Sequence, residues 1–173
     1  MLISDQVKSK FKFQYIPDYA AYLLNNKLDE FVVVGIRFCR ELDLPMLRPL
    51  AKMPEEELIE LSRESNRQIL TALANNDIVP FIENNIKNFV ENNLNDRQGN
   101  KLLDKTDVVA EDIILAFYIR RKLFSFFLHS YTKNAVVHML IATEVDYYTT
   151  QEHLLTTKAY LENHPLNTGN QSG

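Results

Sequence analysis

The stretch between residues 106 and 134 constrains the fold more than any other part of the sequence. It reads TDVVAEDIILAFYIRRKLFSFFLHSYTKN, and its apolar residues fall on every face of a helix. A helix that is apolar all round is normally buried on all sides, so this stretch predicts a central helix with other helices packed around it. Thr106 or Asp107 is expected to cap its start. Glu111 and Asp112 suit its first turns, where the helix dipole favours anions.

The composition favours a single all-α domain. The chain has 173 residues, which is enough for one substantial core. A hydrophobic content of 46% excludes a mainly disordered chain, and only four glycines and six prolines favour long helices over turn-rich β structure. We therefore expect a bundle of about six to seven helices, with a long buried central helix and a long C-terminal helix.

Charge and cysteine content narrow the classes of partner and the compartment. The net charge of −4 excludes the basic footprint that nucleic-acid binding requires. Arg120, Arg121 and Lys122 interrupt the most apolar stretch, so no membrane insertion is expected. A single cysteine, Cys39, cannot form an internal disulfide, and the N-terminus lacks the apolar run of a signal peptide. These features predict a cytoplasmic protein.

Prolines divide the chain into segments. Residues 1–16 are interpreted as an N-terminal arm containing a short helix that ends before Pro17, and residues 17–164 as the helical domain. The segment from Asp18 to Asp43 is predicted to be helical, with a break near Asn25 and Asn26. Gly35 either lets another helix approach closely or is simply tolerated within its helix. Residues 165–173 are interpreted as a flexible tail or the edge of a longer protein.

Two further helices are predicted from proline positions. One begins at Pro54 with three glutamates in its first turn, and the next begins near Pro80. A polar loop, residues 95–105, is expected to precede the central helix. The side chains predicted to face inward from the first of these two helices are Leu58, Leu61, Ile69, Leu70 and Leu73.

The last predicted helix carries a seven-residue repeat. Leu140, Tyr147, Leu154 and Leu161 recur every seven residues, which is typical of a helix that pairs with another helix. Glu144, Gln151 and Lys158 make the seam partly polar. The stripe either covers the domain's own core or packs against a partner near its end, and both interpretations stay open.

Candidate sites for chemistry are few. The four histidines show neither the spacing of a helical metal site nor a carboxylate partner at that spacing. His129 and His138 lie among apolar residues and are conceivable axial ligands of haem, although such histidines are more often part of the core or its boundary. No nucleophile elbow or phosphate-binding loop occurs, so neither an enzyme nor a bound cofactor is expected.

The order of these helices resembles a known family of bacterial sensory domains. The segments that carry the likeness are YLLNNKLDEFVVVGIRFCREL, PEEELIELSRESNRQILTAL and VVAEDIILAFYIRRKLFSFFL, between about residues 19 and 163. They are similar to the globin-like, haem-free N-terminal domains of RsbR-type stressosome co-antagonists and related histidine kinases. The resemblance implies a homodimeric sensory module of a stress-response or other signal-transduction protein, whose last helix lies beside its twin and relays a change to an output domain.

Three functions therefore compete at the level of sequence. The first is the non-enzymatic sensory and dimerisation module, with Leu140, Tyr147, Leu154 and Leu161 on the relay helix. The second is a haem-binding, globin-type sensor that uses His129 or His138. The third is a stand-alone helical adaptor that binds an acidic or amphipathic partner through Arg120, Arg121 and Lys122, although snorkelling or pairing with acids such as Glu111 or Glu144 is their more ordinary fate.

Overall fold

The structure, a computed structural model, describes residues 9, 11–43, 53–91 and 110–163. These residues contain six α-helices and no strand, which confirms the all-α prediction and agrees with the expected number of helices. The helices are α1 (Ile16–Asn26), α2 (Leu28–Glu41), α3 (Glu55–Ala74), α4 (Ile78–Phe89), α5 (Ala110–Tyr131) and α6 (Ala135–Asn163).

Local sequence explains most of the helix boundaries. Pro17 lies in the first turn of α1, where its missing N–H costs nothing. Lys27 leaves the helical conformation and separates α1 from α2, next to the predicted break. Three glutamates occupy the first turn of α3, and Asn76 follows that helix with a φ of 54°, a left-handed conformation that asparagine tolerates.

The N-terminal arm is part of the core in its described portion. Residues 11–15 are not helical, so the predicted arm helix is wrong there. Buried side chains and hydrogen bonds to other parts of the chain hold these residues in place instead. Phe11 and Phe13 are 1% and 8% exposed. The Asn76 side chain accepts a bond from the Phe13 N–H at 3.0 Å and donates one to the Phe13 carbonyl at 2.9 Å.

The start of α1 is held by a carboxylate from α6. Glu144 Oε1 accepts a hydrogen bond from the backbone N–H of Gln14, and Oε2 accepts bonds from those of Tyr15 and Ile16, each at 2.9 Å. The N–H groups at a helix start have no partners within the helix, so a carboxylate there satisfies them and suits the dipole. This contact fixes α6 against α1.

The α5 helix packs against several of the other helices. It contacts α1, α2 and α6, while α3 contacts α1, α2 and α4, and α6 also contacts α1 and α4. One face of α5 nevertheless remains in solvent, since Ile114, Tyr118 and Phe126 are 51–53% exposed. The prediction that this helix is buried on all sides is wrong for that face, because the six helices leave it uncovered. Leu61 of α3, predicted to face inward, is likewise 51% exposed.

Some sequence predictions lie outside the described residues. They are the caps Thr106 and Asp107, the loop at 95–105, residues 1–8 of the arm, and the tail at 165–173. Within the described ranges, no helix is both long and apolar enough to cross a membrane.

Candidate functional site

A buried ion pair joins α5 to α6. The Arg120 Nη1 group donates to Glu152 Oε2 in a close contact, and the Glu152 side chain is fully buried while Arg120 keeps 27% of its side-chain surface exposed. Losing hydration is costly for both charges, and such a pair persists only when further hydrogen bonds satisfy it. The pair is therefore the most constrained polar feature of the described core.

Two neighbouring side chains complete a buried polar cluster, which we define as Arg120, Glu152, Tyr148 and Asn85. The amide Nδ2 of Asn85, on α4, donates to Glu152 Oε1 at 3.1 Å, so both carboxylate oxygens have a donor. Arg120 Nη1 also donates to the Tyr148 hydroxyl at 3.3 Å. The buried polar cluster thus ties three helices, α4, α5 and α6, to one carboxylate.

The electrostatics of the buried polar cluster keep Arg120 charged and Tyr148 protonated. Burial works against the guanidinium charge, but the Glu152 carboxylate and the Tyr148 oxygen outweigh it and hold the pKa of Arg120 above its ordinary value. Burial, together with the Glu152 charge, raises the pKa of Tyr148 well above 10. The buried polar cluster is thus an arginine–carboxylate pair with a neutral phenol, an arrangement that positions helices.

A cavity of about 560 Å³, partly open to solvent, includes Arg120 in its wall. We call it the α2–α3–α5 cavity, because its walls come from these three helices, with Phe81 of α4 at one edge. The wall residues are mostly apolar, and Ser62, Ser65, Asn66, Arg40 and Asp43 supply its other polar groups. Its volume is within the roughly 300–1,000 Å³ that small-molecule sites occupy. Arg120 belongs to both features and connects the cavity to Glu152 of α6.

Two residues singled out in the sequence lie in the cavity wall. A methyl group at Gly35 would stand 3.1 Å from a Leu123 methyl, so the close approach of α2 to α5 is the interpretation that the structure supports. Cys39 is half-buried, and burial raises the pKa of its thiol. A thiol with a raised pKa is a poor nucleophile, in keeping with its interpretation as a small apolar residue.

The two histidines considered as haem ligands lie together at the turn between α5 and α6. Their ring centroids are 4.9 Å apart, and His138 Nε2 bonds to the Leu128 carbonyl at 2.9 Å. Among the described residues, no histidine lines the α2–α3–α5 cavity. The structure therefore brings His129 and His138 next to each other but places neither in the cavity wall.

The seven-residue repeat lies on the outward side of α6, and we call Leu140, Tyr147, Leu154 and Leu161 the outer stripe. Leu154 and Leu161 are 58% and 55% exposed, and Leu140 and Tyr147 are half-buried. The opposite side of the helix is buried in the domain through Ile141, Val145, Tyr148, Glu152 and Ala159. The domain therefore packs against one side of α6 and leaves the outer stripe partly in solvent.

Each member of the basic triplet in α5 has an acidic partner within the chain. Arg120 pairs with Glu152, Arg121 with Asp146 at 3.2 Å, and Lys122 with Glu41 at 3.6 Å. Pairing was the favoured sequence interpretation, but the partners are different from the acids proposed there. The triplet accordingly does not present three uncompensated charges to an acidic partner.

Sequence reasoning missed Glu152, the centre of the buried polar cluster. A usable signal existed, because Glu152 follows Val145 and Tyr148 at helical spacing and precedes Thr156 and Ala159 on the same buried face. An acid within such a face requires a buried partner. The identity of that partner depends on the alignment of α6 against α5, which the sequence does not display.

In the described ranges, no group of three or more potential metal ligands comes together. No family model matches the chain, and no curated protein or solved structure matches it. Three features of the described residues bear on function: the α2–α3–α5 cavity, the buried polar cluster and the outer stripe.

Proposed function

We propose that this chain is a non-enzymatic sensory and dimerisation module of a bacterial signal-transduction protein, and that α6 relays a change to an output domain. The observation that carries the proposal is the two-sided character of α6. Its buried face holds the domain together, and its outer stripe repeats every seven residues over a helix of 29 residues, about 44 Å long. The single cysteine supports a cytoplasmic location.

A second copy of the chain is the proposed partner of the outer stripe. Leucines at seven-residue intervals can interdigitate with the same stripe of a twin helix, which makes the surface self-complementary. Large apolar side chains such as Leu154 are more than half exposed. Burying them lowers the free energy by roughly 25 cal/mol for each Å² removed from water. The threonines and charges between the leucines favour a weaker, adjustable pair over a permanent one.

The buried polar cluster supplies a route from the interior to α6. Arg120 forms part of the cavity wall and also holds Glu152, so a displacement of Arg120 would change the seating of α6. A signal acts by binding two packings of these helices with different affinity. In the proposed module these packings differ in the position of α6 relative to α5. A shift of α6 changes its contacts with the twin helix.

Light scattering on the purified chain across low to high micromolar concentrations tests the dimer. We expect the mass of two chains for the wild type and of one chain for Leu154→Glu, which places a charge in the seam. Leu61→Glu is a matched control, because Leu61 is similarly exposed but lies on α3. A wild-type protein that stays monomeric at high micromolar concentration, or a Leu154→Glu variant that dimerises like the control, would overturn the proposal.

A further inference from the structure

The α2–α3–α5 cavity has a mostly apolar wall that includes two basic side chains, Arg40 and Arg120. Phe31, Ile36, Ile119 and Leu123 are among the apolar residues that surround it, and Arg120 enters the wall from α5. Transfer of an apolar molecule from water into such a site lowers the free energy, and a few polar groups then fix its orientation. The nature of those polar groups decides the chemical class of ligand that fits.

Arg120 has hydrogen-bond donors that no residue of the described ranges accepts. Its Nη1 group makes both bonds within the buried polar cluster, to Glu152 and Tyr148. Its Nε and Nη2 groups bond to no residue in the described part of the chain. A guanidinium group carries five N–H donors, so Arg120 can hold Glu152 and still donate to an oxygen atom placed in the cavity.

Both arginines in the cavity wall already have an acidic partner. Glu152 compensates Arg120, Glu55 lies 3.5 Å from Arg40, and Asp43 contributes a further carboxylate to the wall. A carboxylate brought into the cavity would add an uncompensated negative charge next to apolar walls, and it would also compete with Glu152 for Arg120. Burial of an unpaired charge is unfavourable. This pairing therefore favours a ligand that accepts a hydrogen bond without carrying a charge.

We propose that the α2–α3–α5 cavity binds an uncharged, mostly hydrocarbon molecule whose single carbonyl, ester or hydroxyl oxygen accepts a hydrogen bond from Arg120. The inference rests on the proposed sensory function for its biological meaning, since it names the class of ligand that the module senses. The hydrocarbon part lies among the apolar side chains of α2, α3 and α5. The oxygen lies beside the residue that also holds Glu152 of α6, so occupancy of the cavity and the seating of α6 are linked.

Isothermal titration of the full chain at pH 8 with methyl decanoate and with decanoate tests the ligand class. The two compounds share a hydrocarbon chain and differ in the charge of the head group. We expect the ester to bind at least tenfold more tightly than the acid. Equal binding, tighter binding of the acid, or no binding of either compound would overturn the proposal.

Two variants locate the site. Ala116→Phe places a ring in the cavity and is expected to abolish ester binding, whereas Ala135→Phe, the same change at an exposed position outside the cavity, leaves it intact. Arg120→Lys keeps the charge that Glu152 requires but removes the spare guanidinium donors, so ester affinity should fall about tenfold, the expected loss for a hydrogen bond to a charged group. Circular dichroism melts confirm that each variant is folded.

The outcomes separate this inference from the proposed dimer. A Leu154→Glu protein should bind methyl decanoate like the wild type, because Leu154 is not part of the cavity wall. A wild-type chain that binds methyl decanoate but stays monomeric would contradict the proposed dimer alone. Unchanged ester affinity in Arg120→Lys, or ester binding that survives Ala116→Phe, contradicts the assignment of the site.

Discussion

The core around α1 and the core around α2 are packed differently, although α5 contacts both helices. On the α1 side, Tyr19, Leu23, Leu70 and Leu73 have no exposed surface, and the arm residue Phe11 is 1% exposed. On the α2 side, a cavity of about 560 Å³ is lined by α2, α3 and α5. We call these regions the filled side and the hollow side. The core is therefore tightly packed around α1 and contains a cavity beside α2.

The difference indicates where stability and function are located. Protein interiors are normally packed as densely as organic crystals, and a cavity forgoes contacts in proportion to its volume. Departures from such general rules of stability are expected at functional sites. The filled side is therefore expected to contribute more to stability, and the hollow side has space that a ligand could occupy. The buried polar cluster lies beside the hollow side and connects it to α6.

A large loss of stability is expected from Glu152→Gln. The change leaves Arg120 without its carboxylate, and breaking a buried ion pair typically costs about 3–5 kcal/mol. We expect about 3 kcal/mol, at the lower end, since Arg120 keeps 27% of its side-chain surface exposed. The free energy of unfolding, measured with urea, gives the value. Asp146→Asn serves as the control, because its exposed pair with Arg121 should contribute less than about 1 kcal/mol. Equal losses in the two variants would show that the buried polar cluster is not a structural junction.

A pair of leucine truncations compares the two sides directly. Leu73 lies on the filled side with 0% exposure, and Leu58 lines the cavity with 8% exposure. Leucine-to-alanine changes in cores cost about 2–5 kcal/mol, and the loss grows with the contacts removed. Leu73→Ala should therefore lower the free energy of unfolding by about 4 kcal/mol and Leu58→Ala by about 2 kcal/mol in urea titrations. Equal losses would contradict the distinction between the sides.

A smaller effect tests the fastening of the filled side. The Glu144 carboxylate accepts hydrogen bonds from the backbone of Gln14, Tyr15 and Ile16. Glu144→Gln removes one of its oxygen atoms and its negative charge. Hydrogen bonds to charged groups contribute about 1.5–3 kcal/mol, so we expect a loss of about 2 kcal/mol, together with faster amide hydrogen exchange at the start of α1. In the control, Glu162→Gln, an exposed pair with Lys158 is removed, and it should change stability by less than about 0.5 kcal/mol. Exchange at α1 that stays unchanged would exclude the proposed fastening.

Much of the fold could be predicted from the sequence because local signals determine helices. Pro17, Pro54 and the asparagines near residue 26 mark boundaries that depend on the backbone of a few adjacent residues. Apolar residues at helical spacing identified most inward faces. Leu61 was placed wrongly, since an apolar residue on the margin of a stripe can lie on either side of the helix.

The site was harder to predict because it depends on the relation between helices. The α2–α3–α5 cavity results from how α2, α3 and α5 are arranged around it, and the sequence does not record that arrangement. The basic triplet was expected to pair with acids, but the choice of Glu152 for Arg120 follows from the alignment of α6 against α5. The seven-residue repeat of α6 could be read from the sequence. Its exposure to solvent could not, because exposure depends on which other helices cover α6.

The smallest expected effect tests whether the hollow side can absorb an added methyl group. In Gly35→Ala, the new Cβ would lie 3.1 Å from a Leu123 methyl, so Leu123 must shift by a few tenths of an ångström. Leu123 lines the cavity and has room to shift, while alanine is better than glycine by about 1 kcal/mol within a helix. We expect a net gain of less than about 1 kcal/mol in urea unfolding. Ala20→Val, on the filled side at 0% exposure, should instead lose about 1–3 kcal/mol through overpacking. A Gly35→Ala loss as large as that of Ala20→Val would mean that Leu123 has no room to move, and that the two sides of α5 are packed alike.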